Sequence, residues 1–186
     1  MKKRRRRNAA ADQEPAAANG DAAETPPEEA PHLSGHLPAE AIHGSGQIRT
    51  EAGRYLRLTA RDETPARFGA PPGGVDDAAR RVWRIAFGLL VRKRFEPDSP
   101  LAEISRTVVA AVHEHSVAGL PPLDAEMLVR DALGEPVPLA DIDASVLVAV
   151  HLLLFASLAD ELALGDGELD AIIAEAEEEA AAAALV

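Results

Sequence analysis

The chain has 186 residues, a length that suits one ordinary domain with a tail, and it contains no cysteine. The missing thiols exclude a disulfide framework, a thiolate nucleophile and a Cys-ligated metal. Lys and Arg total 19 against 31 Asp and Glu, a formal net charge of −12 that is spread very unevenly.

The opening run MKKRRRR holds Lys2, Lys3, Arg4, Arg5, Arg6 and Arg7, a local charge of +6. At the other end, residues 134–186 carry twelve acids and neither Lys nor Arg. The molecule is therefore a charge dipole along its own sequence. A secretory leader needs an apolar stretch after its basic start, but NAAADQEPAAANGD follows here, which predicts a cytoplasmic protein. The Ala- and Arg-rich, Lys-poor composition looks like that of a GC-rich bacterial genome, a remark on source only.

From Asn8 onward Ala, Pro, Glu and Gly dominate, with too few large apolar side chains to offset the entropy of ordering. Residues 1–45 therefore read as a disordered arm with a basic tip, and 46–74 as a linker. Within that linker QIRTEAGRYLRLTA (47–60) can close into a short hairpin around Ala52-Gly53, bringing Ile48, Leu56 and Leu58 together. A lone hairpin is marginal in water, so it would have to dock on something.

Helical periodicity begins after Val75. Asp76 and Asp77 suit the start of a helix, by capping and by charge. Val82, Trp83, Ile85, Phe87, Leu89, Leu90 and Val91 then cover most of its circumference. Arg81, Arg84 and Arg92 fall on one narrow stripe at about 100° per residue, and Gly88 shares it, where another backbone could come close. Two expectations attach to this basic stripe: pairing with acids of the C-terminal third, which is favoured, or contact with phosphates.

Ser99-Pro100 reads as an N-cap followed by a first helical residue. Leu101, Ile104, Val108, Ala111, Val112 and His115 then form one face. A shorter helix starts at Asp124 and stops at Gly134, with Met127, Leu128, Ala132 and Leu133 on its apolar side. Sixteen uncharged residues separate Asp143 from Asp160. They are too few to cross a membrane, which takes about 20, and read as the apolar axis of a bundle. Asp166 can cap a last helix that packs through Leu169, Ile172, Ile173 and Ala176, with a fraying tail over 181–186.

No stretch assembles a catalytic motif. His113 and His115 point apart on a helix and cannot share a metal. His151, inside the most apolar helix, reads as a core histidine whose pKa burial lowers. His32, His36 and His43 have loose spacing and no supporting shell. No phosphate-binding loop, dinucleotide fingerprint, nucleophile elbow or calcium loop is present.

The sequence thus predicts an all-α bundle of about five helices over 75–180, behind the long disordered arm. It needs no cofactor and no metal. The reading is a non-enzymatic interaction or regulatory protein that docks a protein partner, its basic arm serving as an electrostatic tether. Self-association would hide the surplus apolar surface of the first bundle helix and of 146–159. The alternative is a nucleic-acid-associated protein with arm and stripe on phosphates. A membrane surface ranks last.

Overall fold

The computed structural model describes residues 46–62 and 75–185, and all regular structure among them is helical. The basic tip Lys2–Arg7, the disordered arm expected over 1–45, and His32, His36 and His43 lie outside the described residues, as do 63–74 and Val186. Six α-helices follow in order: α1 Glu51–Ala60, α2 Asp77–Arg94, α3 Leu101–Glu114, α4 Pro122–Ala132, α5 Ala144–Glu161 and α6 Asp166–Ala183. A single 3-10 turn, Ser116–Ala118, leads out of α3. Fold class agrees with the sequence.

The axis of the bundle is a pair of helices. α5 packs on α1, α2, α3 and α4, while α2 packs on α1, α4, α5 and α6. Trp83, Phe87, Leu90 and Val91 of α2 are buried, and so are Leu153, Leu154, Phe155 and Leu158 of α5. Each such side chain contributes roughly 1.5–3 kcal/mol by leaving water. α5 does have a window with mean hydropathy of 1.7, apolar enough to cross a membrane, but half of that window is buried against other helices. Its exposed part is the beginning, where Val146, Leu147, Val148 and Ala149 are only half-buried.

The hairpin expected over 47–60 is corrected, because that stretch is α1. Thr50 is its N-cap, the hydroxyl accepting from Gly53 N–H at 2.9 Å, so Ala52-Gly53 lies in a first helical turn. Leu56 is fully buried, whereas Leu58 faces outward. The helix docks where the apolar surplus of α2 and α5 would otherwise face solvent. The Trp83 indole donates to the Ala52 carbonyl at 2.9 Å, and the Tyr55 ring lies 5.8 Å from the Trp83 ring. Covering that surplus was the reason for expecting self-association, and α1 does much of it within one chain. The bundle accordingly includes a helix of the segment read as linker.

Helix ends follow local chemistry, with three caps displaced by one to three residues. Asp76 caps α2 as expected, accepting from Ala79 N–H at 2.7 Å. Ser99 does not cap α3; its hydroxyl accepts from Glu96 N–H at 3.0 Å and closes the preceding turn, leaving Pro100 at the cap. Asp124 sits in the first turn of α4, which Pro121 and Pro122 start earlier because their fixed φ already suits a helix. Asp166 is the first residue of α6, after Gly165, whose N–H donates to Glu168 at 3.2 Å. α6 also continues through Ala183, past the boundary set for a frayed tail. Buried Ala180 and the helix propensity of the Ala run account for that extension.

Arg94 joins three helices at the far end of α2. Its guanidinium donates to Glu103 and to Glu161, both at 2.7 Å, and these bonds hold its pKa above the ordinary value.

Candidate functional site

The stripe on α2 is where sequence and structure meet. Trp83 and Phe87 turn the opposite side of α2 into the core, which leaves Arg84 and Arg92 exposed and Arg81 half-buried. The favoured expectation, that acids of the C-terminal third pair with this stripe, is not what the structure holds. Among the described residues Arg81, Arg84 and Arg92 make no ion pair. The acids of α6 serve α1 instead. Arg57 donates to Asp170 at 2.6 Å, Arg61 reaches Asp166 at 2.8 Å and Arg49 reaches Glu178 at 3.2 Å. The geometric reason is that α1 lies along α6, within reach of its carboxylates.

Two open clefts run beside the stripe. The first, of about 350 Å³, lies between α2 and the start of α5, with Asp77, Arg80, Arg81 and Arg84 over an apolar floor of Ala144, Leu147 and Val148. The second, of about 290 Å³, holds Arg84 and Arg92 together with Asp131 of α4 and Glu179 of α6. Arg84 and His151 line both, so the two clefts adjoin along α2 and together are termed its groove. Gly88 does not admit another backbone, as its sequence position suggested. A Cβ there would lie 3.1 Å from Nη1 of Arg92, which folds back over it.

His151 forms the join of the two clefts. Its ring is 8 % exposed and lies 5.3 Å from the Phe87 ring. Burial, with the Arg84 charge second, pushes its pKa down to about 4, so the ring is neutral at ordinary pH. Among the described residues no hydrogen-bond partner meets either ring nitrogen. A neutral imidazole offers an incoming group one donor and one acceptor, and Asp131 and Glu179 share its second cleft.

His115 is a separate cluster. It is buried at the C-cap of α3 while His113 is exposed, as the helical geometry requires. Ser157 Oγ donates to Glu114 Oε2 at 2.8 Å, and His115 Nε2 lies 3.0 Å from the same hydroxyl. Ser157 Oγ thus sits between the Glu114 carboxylate and His115 Nε2, and the tautomer of His115 sets the direction of the second bond. The cluster is a polar link between α3 and α5. Among the described residues no three His, Asp or Glu side chains come together as a metal site would need.

Sequence reasoning missed Glu177. It is 7 % exposed and accepts from Arg49 N–H at 2.7 Å, Thr50 N–H at 2.9 Å and Thr50 Oγ–H at 2.7 Å. The signal was present: Leu169, Ile173 and Glu177 are four residues apart, which puts an acid on the packing stripe of α6. Compared with family models, with curated proteins and with solved structures, the chain matches none.

Proposed function

We propose that this chain is a non-enzymatic, cytoplasmic interaction protein that docks a protein partner through its helical bundle, with the basic tip Lys2–Arg7 as an electrostatic tether. The observation that supports the reading is the α2 groove. It joins guanidiniums that lack carboxylate partners to the half-buried apolar start of α5. Arg49, Arg57, Arg61, Arg80, Arg94 and Arg130 are all matched to acids, while Arg81 and Arg84, unmatched, stand together over the apolar start of α5. Among the described residues no Ser or Thr hydroxyl stands in the clefts that His151 lines, so no nucleophile–base pair supports catalysis there.

A nucleic-acid role draws on the same arginines. It is disfavoured by Asp131 and Glu179, which stand in the Arg92 cleft. Two measurements separate the readings. Affinity purification from the native cell should retain a protein partner through a high-salt wash. Fluorescence anisotropy of labelled duplex DNA, with the full chain and a chain lacking residues 2–7, should show no binding at physiological salt. Binding that falls steeply with salt and vanishes on truncation would overturn the proposal, since counterion release gives a slope of about −0.9 per phosphate.

A further inference from the structure

We infer that the α2–α5 groove is the docking surface itself, and that its occupant is an acidic amphipathic helix of the protein partner. This rests on the proposed function and names the chemistry of the partner.

Charge complementarity comes first. Arg81, Arg84 and Arg92 present three guanidiniums along one side of α2, without ion-pair partners among the described residues. A carboxylate brought to them makes charge-assisted bonds with no existing pair to break. Spacing comes second. Arg81 and Arg84 are one turn apart, about 4.5 Å at 1.5 Å per residue, and Arg92 lies beyond them in the cleft that Asp131 and Glu179 share. A helix laid alongside repeats its own carboxylates at that one-turn interval.

The apolar floor comes third. Leu147 and Val148 belong to the most apolar helix of the fold yet remain half-buried, beside the arginines. A partner residue between two acids would cover them. At the join, His151 holds a nine-tenths buried polar ring without a hydrogen-bond partner among the described residues. It faces the groove that the partner fills.

A polyanion fits less well. Duplex DNA carries one charge per roughly 1.7 Å of axis, and so would bring phosphates against Asp131 and Glu179 at the Arg92 end. A helix can place its few carboxylates at Arg81 and Arg84 and keep them from that end.

The test uses the full chain. Calorimetry would compare a synthetic helical peptide, with Glu at i and i+3 flanking a Leu stripe, with a scrambled peptide of identical composition. The ordered peptide should bind about tenfold tighter, because only it sets charge and apolar groups in register. Arg81→Glu/Arg84→Glu should weaken it about tenfold or more, and Leu147→Glu comparably, with circular dichroism unchanged. Arg106→Glu, on the exposed side of α3, should have no effect. Equal binding of the scrambled peptide, or full binding by the double variant, would overturn the inference. So would duplex DNA binding that the double variant abolishes. Affinity purification separates the two levels of proposal. A partner retained by both the natural chain and the double variant sinks the groove but leaves the proposed function; a partner retained by neither sinks both.

Discussion

Glu177, deep in α6, caps the chain at Thr50, 127 residues away in sequence. Its carboxylate takes the Thr50 N–H and Oγ–H, while the same threonine oxygen accepts from Gly53 N–H. A buried negative charge thus sits at the positive end of α1 and is satisfied by the donors of that end. The contact explains Gly53, on which a Cβ would run into Glu177 Oε1 and lie 2.8 Å from Ile48 Cγ2.

Gly53→Ala should therefore destabilise the protein by about 1–3 kcal/mol, as overpacking does. Gly88→Ala should have the opposite sign and stabilise by up to about 1 kcal/mol, since its new methyl meets only the end of the flexible Arg92 side chain. Urea midpoints of the two variants decide the matter. Equal shifts of one sign would refute the close approach at Gly53.

Glu177→Gln keeps the shape but turns one acceptor into a donor against the Arg49 and Thr50 N–H groups. We expect a loss of about 1–3 kcal/mol, with the amides of α1 losing hydrogen-exchange protection before the rest of the bundle. Uniform loss of protection would mean that Glu177 does not act through α1.

Burial lowers the folded-state pKa of His151 to about 4, against an ordinary 6.5. Protonation thus favours the unfolded chain, and the histidine's contribution is complete above pH 6.5 and lost as pH falls from 6.5 towards 4. The loss amounts to roughly 3 kcal/mol, at about 1.36 kcal/mol per pKa unit. His151→Leu should flatten stability over that window. An unchanged slope would show that other groups carry it.

Ala163 closes α5 with φ at 50°, in the left-handed region, where Leu164 N–H reaches the Ala159 carbonyl at 3.0 Å. A residue with a Cβ is disfavoured there, so Ala163→Gly should raise stability by roughly 0.5–1 kcal/mol, readable as a higher urea midpoint at unchanged slope. A fall would place the strain elsewhere.

Much of the fold was legible from α2 onward. Runs such as Val82–Val91 and Leu169–Ala176 are long enough for their periodicity to outvote local ambiguity, and Asp76 marks its helix start by chemistry that acts within one turn. α1 was not legible. Its apolar residues are few, Gly53 looks like a turn, and the reason for that glycine lies on α6. The arginine stripe was visible as a pattern, but its lack of acid partners was not. Composition offers enough acids for every arginine; the packing of α1 against α6 gives the acids of α6 to Arg49, Arg57 and Arg61 and not to the α2 stripe.

Local patterns, set by neighbours within one or two turns, thus determined helix content, the core faces and the placement of Arg81, Arg84 and Arg92 on one side of α2. Tertiary structure alone decided that Glu177 is buried, that His151 opens into the groove and that the stripe stays unmatched. Those properties depend on contacts between helices distant in the chain, where burial and charge pairing are settled by what packs opposite.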